Sequence, residues 1–343
     1  MDPARWEHGS DFYWSCAQGR LEAPWSRRAH TLWGSGRDAL RAVLAWGRAE
    51  HGWARVLAPT FFCQEVAQAL ARELPLVVYA DSPVDPTPER VEASERDVVL
   101  VVNTYGMRTK MRVDTRAVVV EDHTHDPLSA WAFESEADYA VASLRKTLPL
   151  PDGGVVWSPR SHPLPRERAV TAAHRRAARD RLAAMVLKRR YLAGHAVQKK
   201  AFRARAMSGQ QAIGAGEISG ITPLSRARLG TVPAQAWRVA RARRLATFRA
   251  ALGPLRGARL LEAPFAATLL FAMPALRERV RAALLEERIY PAVLWSLESP
   301  VVPGVPERHL DLSRRVLSLH CDFRYDDDDM RRVAAAVQAA LAC

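Results

Sequence analysis

A chain of 343 residues with 48% hydrophobic content can bury a large core and is expected to fold as two domains. No apolar run is long enough to cross a bilayer and the opening MDPARWEHGSDFYW lacks the apolar core of a signal peptide, which argues against a membrane or exported protein and makes the cytoplasm the expected compartment. The net charge of +13 would suit a nucleic-acid or acidic-membrane partner, yet no zinc-finger, RNA-recognition or helix-turn-helix signature accompanies it, so nucleic acid is an unfavoured partner. Cys16, Cys63, Cys321 and Cys343 lie far apart with no CxxC pair, which suggests neither a disulfide framework nor a zinc cage.

After an N-terminal arm over about 1–33, the segment TLWGSGRDALRAVLAWGRA places Gly34, Ser35 and Gly36 before an amphipathic helix from Arg37 to Glu50. Free amides and the positive end of the helix dipole make such a start either a phosphate site, to which Ser35 adds a hydroxyl, or a simple cap. Strand-like runs follow at 55–57, 76–79, 98–102 and 118–121, with a helix at 64–72. The fourth run, Val118 to Val120, ends in Glu121 and Asp122. A β-branched run of this kind fits a buried parallel strand, and an acid at its carboxyl end faces the crevice where α/β sheets bind ligands; Asp122 is otherwise a turn or cap residue. His123 and His125 alternate beyond the strand but lack a third ligand at zinc spacing. No metal is expected there: His125 is given a role beside a cofactor, His123 one behind it or facing substrate, and Asp126 is available to orient either ring.

Two more strands, 139–142 and 155–157, flank the loop of ADYAVASLRKTLPLPDGGVV, which contains Lys146. Only five of the fifty basic residues are lysines. A lysine amine can form a Schiff base with an aldehyde, which a guanidinium cannot, so Lys146 is either the chemical centre or a solvated loop lysine. From Arg166 to Met207 a basic helical stretch (166–207) carries thirteen Lys or Arg against Glu167 and Asp180. It is a solvated face, a site for an anionic substrate, or a polyanion surface. A long helix is expected from Ser225 to Leu252, a hinge at Gly253, Pro254 and Gly257, and a smaller α+β domain beyond, with strands near 260, 269–271 and 316–319 and helices near 276–287 and 329–341. Asp326 to Asp329 precede the final helix as capping acids rather than metal ligands.

Together GSDF, GSGRDAL, APTFFCQEV, VVNTYG, VVVEDHTH, SLRKTLPLPDGG, ITPLSRARL, RIYPAVLW and LSLHCDFRY resemble the fold-type I pyridoxal-phosphate enzymes, and among them the DegT/StrS-type aminotransferases that act on nucleotide-linked keto-sugars. The resemblance implies an α/β fold: a large domain (1–252) with a mostly parallel seven-stranded sheet between helices, and a smaller C-terminal α+β domain (253–343). It implies a homodimer with active sites at the interface and pyridoxal 5'-phosphate as cofactor. Lys146 would carry the cofactor covalently and shuttle protons, Asp122 would pair with its pyridine nitrogen, and His125 would lie near its phenolic oxygen. Ser143, Ser35 and the amides of Gly36 and Arg37 would bind the phosphate. The chain departs from the pattern at Pro151–Asp152–Gly153–Gly154, at Asn103, where histidine is usual, and at Cys63, where the ring-stacking aromatic is usual; Phe61 or Phe62 stands just before it, and Phe62 is the candidate. The expected reaction is amino transfer from an amino-acid donor to a keto acceptor, which could be anionic. Its rivals are another pyridoxal-phosphate reaction (elimination, decarboxylation or condensation) on a small amino acid, and a cofactor-free relative that binds a polyanion.

Overall fold

The computed structural model describes residues 3–9, 11–85, 91–113 and 115–342; Ser10 of the GSDF motif lies outside them. In chain order the elements are β1 (His30–Trp33), α1 (Gly36–His51), β2 (Arg55–Pro59), α2 (Gln64–Leu70), β3 (Leu76–Tyr79), β4 (Asp97–Val102), β5 (Val118–Asp122), α3 (Ala130–Phe133), β6 (Tyr139–Ser143) and β7 (Gly154–Trp157). There follow α4 (Ala172–Leu192), α5 (Lys199–Ala212), α6 (Pro223–Leu229), α7 (Ala234–Leu252), β8 (Ala258–Leu260), β9 (Ala267–Phe271), α8 (Pro274–Glu286), α9 (Glu307–Arg315), β10 (Val316–Leu319) and α10 (Asp327–Ala342).

Seven strands form one sheet in the order β1-β7-β6-β5-β4-β2-β3. β3, β2, β4, β5 and β6 are mutually parallel, while β7 runs antiparallel to both of its neighbours. The mostly parallel seven-stranded sheet expected from the sequence is present. Its centre is buried on both faces, as the unbroken apolar run of β4 requires. On one face Leu40, Val43 and Leu44 of α1 enter a core with Val98, Leu100, Val120 and Val141. A second, antiparallel sheet, β10-β9-β8, carries its own core, in which Leu269, Phe271, Leu317 and Leu319 meet Val280 and Leu284 of α8 and Val333 and Val337 of α10.

Several elements differ from the sequence reading, among them the short α3, which it did not include. β1 lies within the stretch read as an arm; four residues, HTLW, are too short to show an alternation, and pairing with β7 rather than propensity makes them a strand. The basic stretch is two helices, α4 and α5, separated by a turn at Gly194. The helix expected over 225–252 is broken between α6 and α7, where Pro233 has no N–H to continue it and caps α7 instead. α9, with apolar residues confined to one narrow side, was not anticipated. At α10 the capping reading agrees with the geometry: the amide of Asp329 donates to Asp326 Oδ1 and the amide of Asp326 to Asp329 Oδ2, both at 2.9 Å.

The arm crosses the molecule to the second sheet's end. His8 exchanges backbone hydrogen bonds with Arg288 and Tyr290, Trp6 Nε1 donates to Asp329 Oδ1 at 2.5 Å, and Arg324 Nη1 donates to the carbonyl of Asp11 at 2.6 Å. Glu7 pairs with Lys188 at 3.2 Å and with Lys199, which ties the arm to α4 and α5.

Candidate active site

Strand direction gathers the site. β2, β4, β5 and β6 all end at the same edge of the sheet, and residues at or shortly beyond their ends, Phe62, Asn103, Asp122 and Ser143, line one cleft with the start of α1. This is the crevice outside the carboxyl ends of the strands, where α/β sheets bind ligands. All eight residues singled out from the sequence, Ser35, Gly36, Arg37, Phe62, Asp122, His125, Ser143 and Lys146, are on its wall.

Lys146 ends a 3-10 turn, Leu144–Lys146, that follows β6 directly. The turn is fixed by its surroundings. The amide of Leu144 donates to the carbonyl of Gly153 at 3.1 Å, and that of Gly153 to the carbonyl of Gly34 at 2.8 Å. Asp152, fully buried, clamps the hairpin: it accepts from the amide of Thr222 at 2.8 Å and its hydroxyl at 2.7 Å, from the Ser225 hydroxyl, and bonds His174 Nε2 at 3.0 Å. Gly154 allows the next close approach, since a Cβ there would lie 2.2 Å from the carbonyl oxygen of Ser35. No hydrogen bond or ion pair engages the Lys146 amine among the described residues. Enclosure by protein, followed by the charge of Arg145, pushes the amine down to about 8, so a sizeable fraction is neutral near pH 8.

Asp122 sits across from Val141 in the β5–β6 ladder. Its Oδ1 accepts from the amide of Thr124 at 2.8 Å, and burial raises its pKa. His125 is oriented by the backbone: the amide of Tyr105 donates to its Nδ1 at 2.9 Å, so in the neutral ring the proton lies on Nε2. Burial holds this ring neutral, with a pKa of about 3. The donor amide belongs to a residue at φ 56°, a left-handed conformation unfavourable for a tyrosine and stabilised here by burial and by the hydroxyl's bond to the carbonyl of Leu294. The imidazole stacks on Phe265 at 4.3 Å and on Trp295 at 5.3 Å.

At the other end of the cleft, α1 begins. Ser35 caps it: its Oγ accepts from the amide of Asp38 at 3.1 Å and donates to Asp38 Oδ2 at 2.7 Å. The hydroxyl proton is therefore already engaged, and a ligand here meets the helix amides rather than the Ser35 hydroxyl. Gly36 lies against Ser143, a Cβ at Gly36 falling 2.6 Å from that of Ser143. The Ser143 amide donates to Thr124 Oγ1 at 2.9 Å, while its own hydroxyl has no protein partner among the described residues. Arg37 is turned aside to the carbonyl of Ile213 and to Glu65 Oε2 at 3.3 Å, which leaves its backbone amide to the cleft.

His123 and Asp126 play no part in the cleft wall. His123 is buried between Glu121, at 2.8 Å, and Trp131 and Trp157, and Asp126 makes a two-point pair with Arg238 at 2.9 and 2.8 Å instead of orienting a histidine. Trp295, Arg145 and Gln210 line the cleft although the sequence reading gave them no role. RIYPAVLW carries Trp295, and an isolated tryptophan at the end of such a motif was the available signal; for Gln210 there was none.

The donor set suits an anionic aromatic aldehyde such as pyridoxal phosphate. Besides the free Ser143 hydroxyl, Asn103 Nδ2 is buried with no hydrogen-bond partner among the described residues, a donor facing a site that lacks its acceptor. Lys146, Asp122, Phe62 and the α1 amides supply an amine, a carboxylate, an aromatic face and an anion seat within one cavity. No group of three or more metal-ligating side chains occurs among the described residues, and none of their helices is long and apolar enough to cross a membrane.

No family model matches the chain, and no curated protein matches it in sequence. Its structure is similar to many solved ones. DesI, crystallised in the presence of its TDP-sugar product, superposes with a TM-score of 0.58 at 18% identity over 92% of this chain and 81% of that one. The sugar aminotransferase CalS13 from Micromonospora echinospora gives 0.55 at 15% identity over 90% and 87%. A DegT DnrJ EryC1 StrS aminotransferase from Brucella abortus gives 0.56 at 14% identity over 92% and 86%. At such identities the likeness speaks for architecture, and by architecture this chain has the fold of the DegT/DnrJ/EryC1/StrS aminotransferases.

Proposed function

We propose that the protein is a pyridoxal-phosphate-dependent aminotransferase whose acceptor is a keto-sugar linked to a nucleotide. The observation that carries the reading is Lys146: an unpaired, partly neutral amine at the end of β6, in a cleft shared with the buried Asp122 at the end of the adjacent parallel strand. When bound, pyridoxal phosphate supplies an electron sink for charge developing on the carbon beside a substrate amine. Lys146 would hold the cofactor's aldehyde end, Asp122 its ring nitrogen, Phe62 a ring face, Asn103 and His125 its ring oxygen, and Ser143 with the amides of Gly36 and Arg37 its phosphate.

Each residue's part follows from its surroundings. Lys146 Nζ, lowered toward neutrality, is suited to accept a proton and return it at a neighbouring carbon. Asp122 Oδ1 is held by the Thr124 amide, so Oδ2 would be the oxygen left for the ring nitrogen. His125, uncharged and with its proton on Nε2, would be able to donate to the ring oxygen, and it is held in place by stacking on Trp295. The sugar acceptor is supported by what the similar structures are named, two of them as a TDP-sugar complex and a sugar aminotransferase. A homodimer, and a division of the chain into 1–252 and 253–343, belong to the same proposal; the separate core around the second sheet supports the division, although Phe248 and Leu252 of α7 also enter it.

Borohydride reduction of the cofactor-loaded protein followed by peptide mapping is expected to place the pyridoxyl group on Lys146; a label on Lys110, or none, removes the basis of the reading. Release of a 2-oxo acid from amino donors identifies transamination, whereas ammonia or carbon dioxide would indicate elimination or decarboxylation.

A further inference from the structure

The cleft carries more positive charge at its α1 end than its protein partners balance. Arg145, 8% exposed, lines the cleft one residue before Lys146. Its Nη1 donates to Gln210 Oε1 at 2.7 Å, and this neutral oxygen is shared with Arg181 Nη1 at 3.0 Å. Its Nε is buried with no hydrogen-bond partner among the described residues. No carboxylate forms an ion pair with Arg145 or Arg181 among the described residues; Arg181 Nε donates to the carbonyl of Pro151 at 2.8 Å and feels the charges of Asp11 and Asp152 from a distance, whereas the carboxylate nearest Arg145, Glu65, is paired with Arg37 and has a side chain that is 66% exposed. Burial, and then the charges of Arg181 and Arg37, disfavour the charged form of Arg145. A guanidinium enclosed beside a second one, with only an amide oxygen between them, is unfavourable unless a ligand brings the counter-charge.

The surrounding donors indicate which anion. The α1 amides and the Ser143 hydroxyl come to the same end of the cleft, packed against one another at Gly36. Donors approaching from a helix end, a strand end and a side chain suit the several oxygens of a tetrahedral dianion better than the two coplanar oxygens of a carboxylate.

We propose that Arg145, positioned by Gln210 and Arg181, is a phosphate-binding residue that neutralises a phosphate monoester seated at the start of α1. The source of that phosphate, the cofactor, rests on the function proposed above; the anion site does not. Gln210 and Arg181 come from α5 and α4, so the two basic helices form the scaffold of the anion seat.

Inorganic phosphate, pyridoxal phosphate, pyridoxal and UDP are the probes, titrated into the full-length protein by calorimetry. Arg145→Met is expected to weaken inorganic phosphate and pyridoxal phosphate by about tenfold to a hundredfold, the loss of one charge-assisted interaction, and to leave pyridoxal unchanged. Gln210→Glu, which gives both guanidiniums a carboxylate without removing packing, should weaken phosphate similarly while raising the melting temperature, and it carries the test if Arg145→Met does not fold. Unaltered phosphate affinity in either folded variant overturns the proposal. UDP displacing phosphate while pyridoxal phosphate does not would overturn the assignment to the cofactor's phosphate. Phosphate binding that depends on Arg145, in a protein whose Lys146 is never labelled, would uphold the anion site and reject the cofactor reading alone.

Discussion

Lys146 shows how burial sets chemistry and stability together. Its amine titrates near 8 in the folded protein against an ordinary value of 10.5. Between those values the unfolded chain holds a proton that the folded one does not, so this group makes stability rise with pH from about 8 to 10.5; below 8 both states are protonated and the burial penalty is fully present. Lys146→Met should therefore be more stable than the unsubstituted protein at pH 7, by on the order of 3 kcal/mol from about 1.4 kcal/mol per pKa unit, with the gap closing above pH 10. Urea unfolding of the cofactor-free protein at the two pH values measures it, and a constant gap would mean that packing, not titration, sets the difference. At Asp122 the expected effect is kinetic: Asp122→Asn should leave cofactor bound and slow the donor half-reaction by orders of magnitude in stopped-flow, because an amide cannot hold the ring nitrogen protonated. Near-unchanged rates would assign that contact to another residue. Residues at strand ends were legible in the sequence because an acid after VVV, or a serine and lysine after a strand, carry their position with them. Arg145 was not, since in a chain so rich in arginine one more gives no contrast, and its lack of a carboxylate partner is visible only once α4 and α5 are folded over it.

At the level of elements, the site depends on how closely β7 and the start of α1 approach. Gly154→Ala would drive a methyl into the Ser35 carbonyl, 2.2 Å away, where no side chain can yield. We expect the variant either to lose several kcal/mol of stability, as for overpacked cores, or to shift the α1 cap and weaken phosphate binding; thermal melts and phosphate titration separate the two, and wild-type behaviour in both would show that the cap is not rigid. The strands of the large sheet other than β1 were readable from the sequence within a residue or two, because strands buried on both faces have to be continuously apolar. The break between α6 and α7 was missed for the opposite reason. Gly230 and Pro233 stand inside an otherwise helical pattern, and whether such a pair bends a helix or ends it is decided by what packs there, in this case the fully buried Val232 and the N-terminal arm, whose Gly19 amide donates to the carbonyl of Thr231 at 2.8 Å.

Across the whole molecule, the net charge of +13 is distributed unevenly in its consequences. Arg181 reaches the cleft region through Gln210, while Arg189 and Arg190, further along α4, are exposed, and Arg189 donates to Cys16 Sγ at 2.8 Å. Reversing both, as Arg189→Glu with Arg190→Glu, should leave the acceptor KM and its salt dependence within about twofold, since they are exposed and lie two turns beyond Arg181, about 12 Å along α4 at 1.5 Å per residue, where salt screens them; a large rise in KM would instead make this end of α4 part of substrate capture. The division into two sheets was legible from the Gly253–Pro254 hinge and the change in pattern after it. The route of the arm was not, because its partners lie at the far end of the chain.

That route sets an order of events. Trp6 and Asp329, joined by a hydrogen bond, are 323 positions apart, and Asp11 meets Arg324 across 313. On a ribosome adding about 5–20 residues per second, the arm emerges tens of seconds before Arg324 and Asp329, whereas Lys188 and Lys199, with which Glu7 pairs, follow it after little more than half that interval. The arm's contacts with α4, from the Trp14 amide to the carbonyl of Met185 at 3.0 Å and from Lys188 Nζ to the carbonyl of Asp11 at 2.9 Å, can therefore form before α10 exists, and the tie from the arm to the second sheet's end closes last, when α10 is made.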